Sequence, residues 1–374
     1  MVGGDLQAFI GEVHRKALNF DTRAALVAGC FSIDRDLNIQ TAEAYAVDQS
    51  RVYFDYNEMA KAEAGREDGI DFVVITTPNH LHYAVAKAFL EAGIHVVCEK
   101  PLCFAVEEAQ ELEALSKEKG LILGVTYTYV GYAMAKVMRE MVARGDIGEI
   151  LNVNAEYVQE WLIDEVGGGG SDTAKLSVWR MDPKFSGISN CVGDIGTHIE
   201  CMVNYVTGLK IKRLLATTNN FGQALDLNAN IIVEYENGAN GAYWCSQVAA
   251  GKLNGLVIRI YGSKGSIEWE QHHPDYVRFT PKGGAPQILS RGCGYISGEA
   301  AAYSRIPSGH PEGLIIAFAN IYKNIITAII QKKAGEEIVG AGLDFPDVEA
   351  GMDGVKFVHA VIESSNSGTA WVNL

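Results

Sequence analysis

The sequence predicts an α/β protein in two parts: a doubly wound parallel sheet over residues 1–126, then an α+β domain over 127–374 with a large, mostly antiparallel open sheet and C-terminal helices that pack back on the interdomain region. Three observations predict it. As far as residue 125, short β-branched runs alternate with amphipathic segments, the pattern of strand–helix–strand units. Beyond residue 148 the apolar period changes to two, as in Leu151, Val153, Ala155 and Tyr157 set against Asn152, Asn154 and Glu156. A chain of 374 residues is also long enough for two cores, at roughly 100–200 residues per domain.

In the first part, residues 24–31, 72–76, 95–98 and 121–125 read as strands, with residues 83–92 as a helix stopped by Gly93. Only a trace of strand precedes a glycine turn and a helix at residues 12–19. In the second part, strands are expected at 229–235, 241–248, 257–261 and 266–270, with turn chemistry at Asn237-Gly238 and Gly262–Gly265. A polar stretch at 167–171, rich in glycine, leads to Trp179-Arg180 and then to a helix at 194–206; a loop of that length in a compact domain points to function or mobility. The helix at 311–332 carries an apolar stripe (Ile315, Phe318, Tyr322, Ile325, Ile329) that marks core packing.

Composition is that of a globular protein, with 48% hydrophobic and 21% charged residues. A net charge of −15 argues against a nucleic-acid partner, which calls for clustered Lys and Arg. The seven cysteines (30, 98, 103, 191, 201, 245 and 293) form no CxxC pair and fit buried free thiols in a reducing compartment. With no basic and apolar leader and no apolar run of about 18 residues, the expected location is the cytoplasm, with no membrane partner.

Gly3, Gly4 and Gly11, with Phe9 and Ile10 between them, suit a turn that brings backbone amides and a helix start up to a pyrophosphate. The spacing departs from GxGxxG because residues 5–10 are inserted. A carboxylate is unfavourable beside phosphate, so Asp5 is expected to point away or to cap the helix. The next strand ends at Ser32, Asp34 and Arg35, roughly twenty residues on, where a dinucleotide fold reads the ribose. Asp34 favours NAD. Ser32 and Arg35 suit a 2′-phosphate, which leaves NADP open.

Two further segments, Thr76-Thr77-Pro78-Asn79-His80-Leu81-His82 and Glu99-Lys100-Pro101, fall just after two successive strands, the edge at which open α/β sheets bind ligands. The second part carries Asp194 and His198 four residues apart, hence on one face if helical, in a setting of small apolar residues with two glycines. In this combination and order, the nucleotide turn, the TPNxxH loop, the EKP tripeptide and the Asp-x-x-x-His pair resemble the Gfo/Idh/MocA oxidoreductases, over essentially the whole chain. The resemblance implies a Rossmann-type first domain, with Thr77, Pro78, Asn79, His82, Glu99 and Lys100 lining the cofactor and a cis peptide before Pro101. It also implies catalysis by Lys100, Asp194 and His198. A Glu-Lys dipeptide is ordinarily an exposed ion pair worth under about 1 kcal/mol, but a lysine locked behind a buried strand by proline is held in place. Histidine titrates near neutrality and suits removal of an alcohol proton; Asp194 would orient it, and Lys100 would stabilise the alkoxide.

Candidate substrate contacts are Tyr127, Tyr129, Tyr132, Tyr157, Trp179, Arg180 and His310, besides Asp194 and His198, since sugars are held by aromatic faces and polar groups matched to hydroxyls. His272, His273 and His359 read as structural or surface residues. No metal is expected, because two ligands are too few. The implied activity is hydride transfer between NAD(H) and a ring alcohol or ketone of a sugar, a glycoside (the C3 hydroxyl) or an inositol, in a dimer or tetramer of this chain. A redox-assisted glycosidase and a non-catalytic dinucleotide sensor are the alternatives.

Overall fold

The structure is a computed structural model that describes residues 1–166, 178–296 and 298–374; the glycine-rich stretch at 167–171 lies outside them. The chain divides into two compact units, Met1–Gly131 with Leu314–Met352, and Tyr132–Gly313 with Asp353–Leu374. The first unit thus takes in a late segment that the sequence analysis grouped with the second domain.

Four parallel strands build the first unit's sheet: β1 (Val2–Gly3), β2 (Phe72–Thr76), β3 (His95–Cys98) and β4 (Leu123–Val125), side by side in that order. Single bridges extend it past β1, from Val2 to Cys30 and from Gly29 to Val52. With those two positions counted as strands, the order becomes 3-2-1-4-5-6, the doubly wound arrangement whose ligand crevice opens between the first and fourth strands. The helices are α1 (Phe9–Asn19), α2 (Arg35–Ala44), α3 (Tyr56–Ala64), α4 (His82–Glu91) and α5 (Val106–Lys119).

The full strand expected at 24–31 does not form. Only Gly29 and Cys30 pair, because β1 offers a two-residue edge. Residues 24–28 instead border a cavity of about 600 Å³ with Phe72 and Val74, at the amino-terminal end of the strands and away from the motif-bearing edge.

The helix Leu314–Lys333 starts later than expected, beyond Pro311; numbered in chain order it is α8, following α6 (Ala133–Ala143) and α7 (Thr197–Thr207). It is long and apolar enough to cross a bilayer, yet Phe318, Ile321, Tyr322 and Ile325 are buried within the first unit. There it packs on α1 and on the 3-10 turn Thr128–Gly131, where Asn320 donates to the Gly131 carbonyl at 2.8 Å.

In the second unit a nine-stranded sheet runs β12-β11-β10-β9-β5-β8-β7-β6-β13. Its strands are β5 (Ile150–Val158), β6 (Ile211–Asn219), β7 (Asn228–Tyr235), β8 (Asn240–Ser246), β9 (Gly255–Gly262), β10 (Gly265–Glu270), β11 (Tyr276–Pro281), β12 (Gln287–Ser290) and β13 (Val372–Asn373). Every pairing is antiparallel except β5 with β8. The period-two reading holds from Asn152 onward, but a register shift between Ile150 and Asn152 turns Leu151 outward, as an inserted bulge residue must. Helix α7 packs on α6 and the sheet; α9 (Val348–Asn366) spans the division between the units.

A Cβ added at Gly131 would lie 2.1 Å from the Ala317 carbonyl oxygen. Gly131→Ala therefore forces the 3-10 turn off α8 and should lower unfolding stability by about 1–3 kcal/mol in urea titration; a wild-type midpoint would show that the turn does not depend on this contact.

Candidate active site

The glycine turn is built by steric exclusion. Gly3 and Gly4 have φ of +79° and +76°, a conformation open to glycine alone at low cost. A Cβ on Gly11 would lie 2.4 Å from the Gly4 Cα, so the first turn of α1 is pressed onto the loop. The Asp5 carboxylate turns back to accept from the Gln7 amide at 3.0 Å, and Ala8, at the N-cap of α1, gives no side-chain bond. The opening amides of that helix are left to an anion, and its dipole favours one. Beside the turn, the Thr77 hydroxyl is buried with no partner among the described residues. A cradle that any side chain would fill, an uncapped helix start and an orphaned hydroxyl fit a dinucleotide phosphate.

Phe9 is exposed at the mouth of the turn and Ile10 is half-buried. Asp34 caps α2 through the Leu37 amide at 2.9 Å, while Ser32 Oγ accepts from the Asp34 amide at 3.3 Å. The Arg35 guanidinium stacks on Phe54, 4.0 Å from the ring centre. All three ribose candidates are thus ordered locally, by a cap, a turn and a stacked ring.

Two neighbouring strand ends carry the next groups. Ile75 of β2 pairs with Cys98 of β3, and the Glu99 amide donates to the Ile75 carbonyl at 3.0 Å. The Thr77-Pro78 loop and the Glu99-Lys100-Pro101 turn therefore leave the sheet together. His82, fully buried at the start of α4, spans them: Nδ1 lies 2.6 Å from the Pro101 carbonyl and Nε2 lies 3.0 Å from the Thr77 carbonyl. Burial pushes its pKa down. The Lys100–Pro101 peptide is cis.

Glu99 is buried and bonded on all sides. His14 Nε2 lies 2.9 Å from Oε1, Thr126 Oγ1 donates to the same oxygen, and the Lys100 amide donates to Oε2 at 3.3 Å. Burial pushes this carboxyl up, but hydrogen bonding and charge from His14, then Lys100 and Thr126, hold it at about 2. On its other side His14 Nδ1 meets the Tyr322 hydroxyl at 2.6 Å.

His14, Thr126 and Tyr322 escaped the sequence reading. His14 stands three residues beyond Gly11, on the same face of α1, a spacing that offered a signal; Tyr322 was concealed in the apolar stripe of α8.

In the second unit the helix expected at 194–206 opens as a π turn, Val192–Gly196, and continues as α7. Such turns are rare and concentrate at functional sites. Asp226, itself buried, anchors this one by accepting from the Asn190 and Val192 amides, each at 2.9 Å; burial still pushes its carboxyl up. Gly196 permits contact with the sheet, since a Cβ there would sit 3.2 Å from Cys245 Sγ.

Asp194 projects from the π turn. Its Oδ2 accepts from Gln247 Nε2 at 2.9 Å, and Gln247 in turn accepts from Asn190 at 2.7 Å. Arg180 lies over Trp179 with its Nε 3.8 Å from Asp194 Oδ1. His198, nearly buried, faces the Tyr157 ring at 5.9 Å between centroids, and the Tyr157 hydroxyl donates to Asn254 at 2.7 Å. Trp179, Arg180 and Asp194 are thus joined in one group, and Tyr157 and His198 in another. Gln247, Asn190, Asp226 and Asn254 were missed, although Ser246-Gln247 at the end of an apolar strand offered a signal.

His310 is exposed on a loop fastened by Arg291, which binds Asp275, Glu312 and the His310 carbonyl. Tyr129 is buried in the first unit's 3-10 turn. Among the described residues no group of three or more His, Cys, Asp or Glu is disposed to hold a metal.

Comparison with known proteins bears on both units. Residues 1–127 match the family model described as "Oxidoreductase family, NAD-binding Rossmann fold", and residues 135–268 match "GFO/IDH/MocA C-terminal domain". An uncharacterized oxidoreductase, YfiI of Bacillus subtilis, is 40% identical over 100% of this chain and 95% of its own length. An inositol dehydrogenase homolog from Azotobacter vinelandii superposes with a TM-score of 0.95 in its NAD+ complex, at 39% identity over 100% of this chain and 96% of that one. Its complex with NADH and myo-inositol gives 0.93 at 38% identity, with the same coverage. Levoglucosan dehydrogenase of Pseudarthrobacter phenanthrenivorans is 29% identical over 55% of this chain and 57% of its own length.

Because the Glu99 carboxyl is depressed to about 2, its contribution to stability is complete above the unfolded value near 4.5 and is lost as pH falls through 2. Glu99→Gln should flatten the fall in unfolding free energy between pH 7 and pH 2 by about 3 kcal/mol at most. An unchanged acid limb in urea titrations would show that this carboxylate does not carry that dependence.

Proposed function

The chain belongs to the Gfo/Idh/MocA family of NAD-binding oxidoreductases, and on that premise we propose that it transfers a hydride between NAD(H) and a ring secondary alcohol or ketone of a cyclic polyol. The observation that carries this reading is the Asp194 and His198 pair, mounted across a π turn with Asp194 held by Gln247, in a chain whose NAD-binding unit bears Lys100 at a strand end. NAD, when bound, supplies the acceptor for the hydride that leaves the carbinol carbon. His198 takes the hydroxyl proton as that bond breaks, Asp194 steadies the charged imidazole, and the Lys100 ammonium stabilises negative charge building on oxygen. In reduction His198 returns the proton. Tyr157, Trp179 and Arg180 supply the aromatic and cationic surfaces on which a polyhydroxylated ring rests.

Inositols are the leading substrate class, supported by the homolog solved with myo-inositol. An anhydro sugar or glycoside is the second reading, favoured by the levoglucosan dehydrogenase relative. Leu151, Ile232 and Tyr261, exposed on one face of the nine-stranded sheet, suit packing between copies of this chain, and seven free cysteines suit the cytoplasm.

A screen of inositol isomers, hexoses, levoglucosan and methyl glucosides with NAD and NADP, followed at the NADH absorbance band, tests the class; activity with none of them would remove it. With the substrate so found, Lys100→Ala and His198→Ala should each lower kcat by about 10²–10⁴. Near-normal turnover in either would remove that residue's role, and NADH binding by fluorescence should be retained in His198→Ala.

A further inference from the structure

Lys100 stands between two residues that are each gripped by a fully buried histidine. Its predecessor, Glu99, takes a 2.9 Å contact from His14 Nε2; its successor, Pro101, presents its carbonyl 2.6 Å from His82 Nδ1. Neither ring has any solvent exposure. His14 is held from behind as well, by the Tyr322 hydroxyl at 2.6 Å and the edge of Phe318, while the second nitrogen of His82 faces the Thr77 carbonyl at 3.0 Å. We propose that His14 and His82 are positioning residues that fix Lys100 from both sides and key it to the two segments that hold the cofactor. This rests on the reading of Lys100 given above.

The keying follows from where the histidines sit. His14 is in α1, three residues past Gly11 of the glycine turn, and His82 opens α4, three residues past Asn79 of the loop that leaves β2. A shift of either segment is therefore passed to the lysine backbone through one hydrogen bond. A four-carbon lysine stem is flexible, so its placement depends on the backbone that carries it, and a misplacement of about 1 Å costs on the order of 10² in rate. Direct contact between His82 and a cofactor is disfavoured by this arrangement, because both of its nitrogens face protein carbonyls.

Two measurements on the full chain test the proposal. The first needs no substrate: the rate at which Lys100 is acetylated by N-hydroxysuccinimidyl acetate, read by peptide mass spectrometry against the exposed Lys61 as internal standard. It should change several-fold in His14→Ala and in His82→Ala. It should return toward wild type in His14→Gln and His82→Asn, whose amides can still donate to Glu99 and to the Pro101 carbonyl. The second is a cycle with Lys100→Ala, using the substrate identified by the screen. Each histidine-to-alanine change should lower kcat by about 10- to 100-fold in the wild-type background and have little further effect once Lys100 is absent. Should the alanine variants fail to fold, the amide variants carry the test, with acetylation rates and kcat near wild type required. Unchanged acetylation in both alanine variants, or losses that add to that of Lys100→Ala, overturns the positioning role. Normal turnover by Lys100→Ala itself would instead overturn the functional reading.

Discussion

The first unit depends on the burial of one carboxylate. Glu99 lies at the end of a strand whose residues are all buried, and an ionised carboxyl there costs several kcal/mol unless its lone pairs are met. Meeting them recruits α1 through His14, the end of β4 through Thr126 and the backbone of Lys100. The same charge that would be a liability in isolation thus ties three segments together. The glycine turn is held by the opposite means, an absence of side-chain volume at Gly4 and Gly11.

The second unit solves a similar problem around Asp226. A π turn leaves backbone amides at its start without the usual partners, and two of them, those of Asn190 and Val192, end on this buried carboxylate. Gln247 then bridges Asn190 to Asp194, so the aspartate projecting from the turn inherits its orientation from the group beneath it. In both units the residues proposed for the chemistry rest on a buried polar group one layer deeper.

This layering explains what was legible in the sequence. Strand cores such as Val73, Val74, Val96 and Val97 announce themselves by composition, and polar residues placed just after them, such as Thr77 and Lys100, stand out by contrast. Asp194 and His198 showed through their spacing. The supporting layer carried weaker signals, because a buried Gln247, His14 or Tyr322 is recognised by its partners, and those lie 53, 85 and 308 residues away. The reading of residues 24–31 went astray for a related reason: β-branched and small apolar residues make a strand only where an edge exists to pair with, and β1 provides two residues of edge. Leu151 went astray by a single inserted residue, which inverts a period of two.

The hydrogen bond between His14 and Tyr322 also bears on how the polypeptide is assembled. The nucleotide-binding unit is discontinuous: α1 and the Thr128–Gly131 turn bury their apolar faces against α8, which lies about 300 residues downstream of α1 and about 180 downstream of the turn. During synthesis at roughly 5–20 residues per second, the ribosome takes tens of seconds to supply that helix. Until then the first 131 residues carry an uncovered apolar surface, and the second unit's strands emerge before the first is closed. Closure of a loop this long is an entropic debt settled only at the end of translation. The fold is therefore a poor candidate for being cut into independent halves at its sequence midpoint, however distinct the two units look.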